Sequence, residues 1–361
     1  MSWILLAYLS MLGIFLLGFL LSPKFYKLPE NDSLPLSVII CARNEAGTIE
    51  TCLQSLLEQD YDAGLVEVII VNDASTDATA SLVEKYLLGA NFSYKVLHNE
   101  TARGKKRSLA KAIALSKHPI IITRDADTFT ESTEYLRSIA AFFRQEQMDV
   151  VIAPIALAPE KGLLNLLQNL ENKVLRVFTA GSAYFQVPFI SSGANFAFRK
   201  SCYEELGGYS SHLHIESGDD VFFLQEACKH KHYKIGFLNS EEALVYTYAA
   251  NTLPESLQQR ARWSGKLLKR PTLPALISGL LILITNVLFV YASITVFFHP
   301  QQSLIQFLVF KAGMDFFLLF LSARGFDKRA SLLQICVMVI VYPFYMIASS
   351  LAAVFTKPRW K

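Results

Sequence analysis

Charge is scarce in this chain, and what there is nearly cancels. Of 361 residues only 18% are charged, and 34 Lys and Arg against 31 Asp and Glu leave a formal net charge of +3. So small an excess argues against a nucleic-acid partner, which needs a basic surface to neutralise phosphates. Cysteine is also sparse. The five cysteines, at 41, 52, 202, 228 and 336, show no paired or metal-ligand spacing. That excludes a disulfide framework and a thiolate metal centre, and fits buried or incidental thiols in a reducing compartment. No internal repeat or low-complexity tract is present.

What replaces charge is apolar surface, and it is localised. Hydrophobic residues make up 52% of the chain, more than an ordinary soluble domain carries. Trp3 to Leu21 contains no charged residue, and about 20 apolar residues suffice to cross a bilayer as a helix. Nothing basic precedes this run, while Pro23, Lys24 and Lys27 follow it, so it reads as a retained anchor over 1–23 rather than a cleaved signal peptide. Three further segments, Leu273 to Phe298, Ser303 to Ala323 and Ser331 to Phe355, fill 272–356. The middle one carries Lys311 and Asp315, four apart and so on one helical face, where they can neutralise each other as a buried structural pair.

Basic clusters give the orientation. Lys24 and Lys27, then Lys266, Lys269 and Arg270, then Arg324, Lys328 and Arg329 all fall on one side if four segments cross. The positive-inside rule makes that side cytoplasmic, together with the domain between the first and second spans. The plasma membrane is the expected location. Lys357, Arg359 and Lys361 would then lie outside, so either that tail is tolerated or one segment does not cross.

Residues 35–265 are the stretch able to fold as a globular α/β domain. Leu36 to Cys41, Val66 to Val71, Tyr94 to Leu97 and Ile120 to Thr123 read as strands. Ile49 to Leu57, Ala78 to Leu88 and Ser108 to Ser116 have helical spacing between them. Alternation of this kind predicts a mostly parallel sheet with helices on both faces, whose ligands sit at the carboxyl ends of the strands. Glu160 to Pro188 combine helical leucine spacing with aromatics, and would floor an acceptor channel or lie against the bilayer.

The polar motifs fall at those strand ends. The first strand runs into Ala42, Arg43, Asn44 and Glu45, and the second into Asn72, Asp73 and, further on, Thr76 and Asp77. Thr76 or Asp77 can cap the next helix. Capping accounts for one acidic residue per loop, which leaves Asp73 to accept hydrogen bonds from a base or ribose. Arg103, Gly104, Lys105 and Lys106 precede a helix, where backbone N–H groups and ammonium charge suit phosphate. Asp125 and Asp127 follow the strand Ile120 to Thr123 and would repel without a cation near them. Mg²⁺ or Mn²⁺ takes carboxylate and phosphate oxygens together. Gly193 lets a ligand approach the backbone, and the Asn195 amide can bond sugar hydroxyls. Of Asp219 and Asp220, one would cap or orient and the other act as a general base towards a hydroxyl. Gln259, Arg262 and Trp263 share one face of an amphipathic helix, with Arg suited to a diphosphate and Trp to a sugar ring or the membrane interface.

Taken in order from about 36 to 265, these residues resemble the family 2 glycosyltransferases of the GT-A fold. They are similar to the branch containing bacterial cellulose synthase, hyaluronan synthase, poly-N-acetylglucosamine synthase and ceramide glucosyltransferase. The resemblance implies inverting transfer of a sugar from a cytosolic UDP-sugar to a glycan or lipid hydroxyl, with Mg²⁺ or Mn²⁺. It implies that Ala42, Arg43, Glu45 and Asp73 hold the uridine and that Lys105 or Lys106 lies near the phosphates. Asp125 would contact the donor, Asp127 the metal, and Asp220 would be the base beside Asp219. Gln259, Arg262 and Trp263 match the family's Q-x-x-R-W motif, expected to grip the diphosphate and frame the acceptor site. Ser191 and Ser192 stand where the synthases carry an aromatic residue, and fewer spans follow the domain than in cellulose synthase. Both departures weaken the case for polymer extrusion. Two alternatives are transfer to polyprenyl phosphate, whose enzymes typically lack Q-x-x-R-W, and a non-catalytic membrane scaffold, which the acidic motifs argue against.

Overall fold

The computed structural model describes residues 2–22, 34–215, 218–323 and 330–355, with 2, 266–268, 354 and 355 by backbone alone. Helix α1 (Ser2–Leu21) comes first. Strand and helix then alternate through β1 (Leu36–Ala42), α2 (Ile49–Leu57), β2 (Val66–Asn72), α3 (Thr79–Leu87), β3 (Ser93–His98), α4 (Lys105–Leu115) and β4 (Ile120–Asp125). Next come β5 (Thr128–Phe129), α5 (Tyr135–Gln145), β6 (Val150–Ile152), β7 (Ile155–Leu157) and the long α6 (Leu163–Tyr184). β8 (Asn195–Arg199), α7 (Lys200–Glu205), α8 (Asp219–Cys228), β9 (Ile235–Phe237) and β10 (Val245–Thr247) complete the α/β part. Helices α9 (Leu253–Lys269), α10 (Leu273–Phe298), α11 (Gln302–Ala323) and α12 (Leu332–Phe355) follow. The chain forms two compact units, one of residues 22–156 and 183–248, the other of 1–21, 157–182 and 249–361.

In the first unit a seven-stranded sheet has the order β3-β2-β1-β4-β8-β6-β9. β1 pairs in parallel with both β2 and β4, and β8 alone runs antiparallel to its neighbours. The continuous Val and Ile runs of β1, β2 and β4 are covered on both faces, which is why they show no polar alternation. Register decides where the polar residues meet. Ala42 pairs with Asn72 and Cys41 with Asp125, so the three loops carrying the motifs leave the sheet at one edge. A second sheet, β5-β10-β7, begins just after Asp127.

Strand β4 continues two residues beyond the expected end at Thr123, through Arg124 to Asp125. Arg124 is fully buried, and its guanidinium donates to Ser55 Oγ at 3.4 Å and to the Thr128 carbonyl at 3.0 Å. The Tyr135 ring lies 5.2 Å away. A charge inside an apolar strand is tolerated because Nε and Nη2 find partners, while Nη1 has no hydrogen bond among the described residues. The two partnered donors hold the turn that bears Asp127.

The second unit contains four helices long and apolar enough to cross a membrane, Trp3–Leu21, Leu273–Phe298, Gln302–Ala323 and Leu332–Ala353, the composition of an integral membrane protein. Lys311 is fully buried, 2.5 Å from Asp315 and 2.8 Å from Asn286 Oδ1, and Tyr8 donates to Asp315 at 2.7 Å. The pair is internal and satisfied, as the four-residue spacing predicts. Helix α6 joins this unit. Leu167 and Leu170 pack with Leu319, Ile335 and Met338, and Phe178 meets Phe15 at 4.9 Å between ring centroids. The leucine spacing of that stretch therefore serves packing on the apolar helices. The basic clusters at Lys24 and Lys27, at Arg324, Lys328 and Arg329, and at Lys357, Arg359 and Lys361 lie outside the described residues.

Candidate active site

The loops after β1 and β2 are fastened to each other. Asn44 takes a left-handed backbone at φ +55, its N–H donates to Ser75 Oγ at 3.1 Å, and its Oδ1 accepts the Thr76 N–H at 2.8 Å. The Glu45 N–H donates to Thr79 Oγ1 and the Ala46 N–H to Asp77 Oδ2. Asp77 also accepts the Thr79 N–H at 3.0 Å, which is the capping role expected of it. Ala42 is buried and its carbonyl accepts the Asp73 N–H, while Arg43 is exposed at the rim. Asn44 belongs to the Ala42 to Glu45 motif read from the sequence, and its αL conformation is one that Asn tolerates well.

Asp73 is placed differently from expectation. It is 3% exposed, and its carboxylate accepts the N–H groups of Arg103 at 2.9 Å and Gly104 at 2.8 Å, the Asn99 amide at 2.7 Å and the Ser108 hydroxyl. Burial pushes its pKa up, but these donors outweigh it and leave the carboxyl below its usual range. Asp73 therefore anchors the basic loop from below. Gly104 takes φ +84 directly before α4, a conformation that suits glycine. Helix α4 accordingly starts at Lys105, three residues before the expected Ser108.

The two lysines of that loop separate. Lys105 Nζ lies 2.5 Å from Asp125 Oδ1 and 3.4 Å from Asp219 Oδ2. Burial lowers its pKa, but Asp125, Asp219 and Asp220 together raise it, so the ammonium stays charged. Lys106 is buried, with Nζ donating to the carbonyls of His212 and Ile215 at 2.9 Å each. Its role is structural, because a helix turns successive side chains about 100° apart. Only Lys105 faces the acidic cluster.

Asp219 and Asp220 open α8 and are both buried. Asp220 Oδ2 accepts the Gly193 N–H at 2.9 Å. Gly193 passes so close that a Cβ there would sit 2.7 Å from Asp219 Oδ2 and 2.9 Å from Lys105 Nζ. Any side chain there would have to displace the ends of Asp219 and Lys105. Asn195 is fully buried, contrary to expectation. Its amide donates to the carbonyls of Pro154 and Ala243 and accepts from the Tyr135 hydroxyl, so it braces β8 and is closed to sugar hydroxyls.

Lys105, Asp125, Asp219, Asp220 and Gly193 thus come from four separated stretches to one point. Asp127 lies two residues along from Asp125, and no ion pair holds it among the described residues. Burial, then the charges of Asp125 and Glu45, push its carboxyl up to about 6. Among the described residues no cluster of three or more His, Cys, Asp or Glu forms a metal site. Two carboxylates two residues apart, with the Asp127 carboxyl raised, fit a hard divalent cation that takes its remaining ligands from phosphate and water. Zinc held wholly by the protein does not fit.

Residues 37–207 match the family model for Glycosyl transferase family 2. Over that stretch the chain is similar to the family 2 glycosyltransferases. A probable glycosyltransferase, YdaM, of Bacillus subtilis (strain 168) is 27% identical to it over 234 residues, 63% of this chain and 54% of that protein. A poly-beta-1,6-N-acetyl-D-glucosamine synthase of Staphylococcus epidermidis is 22% identical over 230 residues, 63% of this chain and 53% of the synthase. The chain spans about half the length of these curated relatives. The structure of the mannosyltransferase PcManGT from Pyrobaculum calidifontis in complex with GDP-Man and Mn²⁺ superposes with a TM-score of 0.57 at 17% identity, over 98% of both chains. The α/β part thus has the GT-A-like fold with a mostly parallel sheet, accompanied by four long apolar helices.

The last motif lies in the second unit. Gln259, Arg262 and Trp263 are half-buried on α9. Arg260, which the sequence reading did not single out, is buried and paired with Glu171.

Proposed function

We propose that this protein is a membrane-bound inverting glycosyltransferase that moves a sugar from a nucleotide-diphosphate donor, a UDP-sugar, to a hydroxyl of a glycan or lipid. The observation that carries this reading is the convergence of Lys105, Asp125, Asp219 and Asp220 on Gly193, close in sequence to Asp127, which no ion pair holds among the described residues. A permanently charged ammonium among carboxylates at the edge where the strands end is suited to a diphosphate. Asp127 would hold Mg²⁺ or Mn²⁺, with Asp125 beside it contacting the donor. Bound there, the cation would stabilise negative charge on the departing diphosphate.

The remaining chemistry belongs to the chain. Asp220 would take the proton of the acceptor hydroxyl as its oxygen attacks the anomeric carbon. The bond to the diphosphate breaks on the opposite face, so an α-linked donor yields a β-linked product. Lys105 would balance charge on the phosphate oxygens. The Gly193 N–H, already on Asp220, would orient that carboxylate. Arg43 and Glu45 would border the nucleoside, and Gln259, Arg262 and Trp263 would meet the diphosphate and the acceptor.

The relatives support sugar transfer without choosing the sugar. One is named for a polymer of N-acetylglucosamine, and the structural neighbour was bound to GDP-mannose with Mn²⁺. The basic residues bordering the apolar helices support a cytoplasmic site at the plasma membrane. Nucleotide release by membranes containing the full chain, across UDP- and GDP-sugars with Mg²⁺ or Mn²⁺, tests the reading. Release with one donor, lost in Asp220→Asn, is the expected result. Equal release by wild type and Asp220→Asn would overturn the assignment of the base.

A further inference from the structure

Arg260, inside the Gln259 to Trp263 motif, points away from Arg262. At about 100° per residue, the two side chains leave α9 roughly 160° apart. Arg260 is 8% exposed, and its guanidinium pairs with the carboxylate of Glu171 on α6. Helix α12 closes round the pair. Tyr342 donates its hydroxyl to Glu171 Oε1 at 3.2 Å, and the hydroxyls of Ser256 and Tyr345 share a 2.6 Å hydrogen bond one turn before Arg260. The same guanidinium lies over the Trp263 indole, 4.7 Å from the ring centroid.

Each contact restrains a different freedom. A buried Arg–Glu pair cannot rotate apart without leaving an uncompensated charge, so it fixes the rotation of α9 about its axis. A planar cation against an indole face fixes the tilt of the ring. The Tyr342 hydroxyl ties the carboxylate to a helix long enough to cross the membrane. Burial against Glu171 also removes Arg260 as a phosphate ligand, leaving that part to Arg262.

We infer that Glu171 and Arg260 are positioning residues for Trp263, and that Tyr342 couples them to α12. This rests on the reading of Trp263 as a contact of the transfer site. The pair would make the geometry of the motif depend on the apolar helix bundle rather than on α9 alone.

The test uses the full chain in detergent or membranes, with Trp3→Phe and Trp360→Phe leaving Trp263 as the sole indole. Acrylamide quenching of Trp263 is compared in the parent, Glu171→Gln, Arg260→Lys and Tyr342→Phe, beside single-turnover sugar transfer. Glu171→Gln should change the quenching and lower kcat by roughly 10–100-fold, the scale of a small misplacement in a reacting centre, while donor KM moves less than about threefold. Arg260→Lys keeps the charge but not the planar stack, and should change the quenching likewise. Tyr342→Phe removes one hydroxyl and should fall between parent and Glu171→Gln on both readouts. It carries the test if Glu171→Gln does not fold. Unchanged quenching in these variants overturns the inference, and so does changed quenching with unchanged kcat. If the parent chain transfers no sugar, the functional reading fails, and the quenching series still decides whether the pair positions Trp263.

Discussion

A methyl group on Gly193 would lie 2.7 Å from Oδ2 of Asp219, closer than real side-chain carbons come to any neighbour. The backbone therefore passes directly against the acidic pair. Both groups it would strike, Asp219 and Lys105 Nζ, are ends of side chains that can shift. Gly193→Ala should leave the fold intact while displacing them, at a cost of about 1–3 kcal/mol for overpacking. If that strain falls on the transition state, kcat/KM drops by roughly 10–100-fold. Steady-state kinetics beside a melting curve check this. A fall in Tm with unchanged kinetics would show that the approach serves folding alone.

Asp127 allows a prediction whose sign depends on the metal. Its pKa in the folded protein is about 6, against about 3.9 for an unfolded Asp. A carboxyl raised on folding contributes stability below the unfolded value and loses it as pH rises through the folded value. Metal-free protein should therefore lose on the order of 1–3 kcal/mol between about pH 4 and pH 6 from this group. Asp127→Asn should remove that loss and melt higher than wild type at pH 7 in EDTA. It should also abolish the rise in Tm that Mn²⁺ gives wild type. A variant that still gains stability from Mn²⁺ would take Asp127 out of the metal site.

Asp73 gives the opposite sign. Its folded pKa is lowered, so its contribution is present above the unfolded value and disappears as pH falls through the folded one. Asp73→Asn sets an amide against the Arg103 or Gly104 N–H. It should cost about 1–3 kcal/mol at pH 7, with the difference from wild type narrowing in acid. Because the same loop presents Lys105, transfer should fall as well. Melting curves from pH 3 to 7 follow the first effect, and a flat difference would mean that the carboxylate charge is not what holds the loop.

Asn195 separates a brace from a sugar ligand. Asn195→Ala leaves the Pro154 and Ala243 carbonyls and the Tyr135 hydroxyl without their partner. At about 1–3 kcal/mol per buried group left unsatisfied, Tm should fall sharply, while the remaining folded protein keeps its donor KM. A raised KM at unchanged Tm would restore the sugar-binding role.

Strand and helix order, the four apolar spans and the edge of the sheet where the ligand belongs were legible in the sequence, because each rests on local periodicity. Runs such as Val68 to Val71 and the charge-free Trp3 to Leu21 can be buried in few ways. Two of the acidic motifs were legible for the same reason, as Asp73 follows β2 and Asp125 closes β4, while Asp219 and Asp220 open a helix. What the string could not decide is which way a polar side chain turns once its neighbours arrive. Lys105 and Lys106 are adjacent and alike in sequence, yet one faces Asp125 and the other the carbonyls of His212 and Ile215. Asp73 and Asn195 read as ligand contacts but meet buried donors and acceptors contributed from 26 to 60 residues away. Arg260 was hidden between two motif residues, since its partner Glu171 comes from another helix. A buried polar group must be satisfied by whatever the fold brings to it, and only the tertiary structure supplies that list.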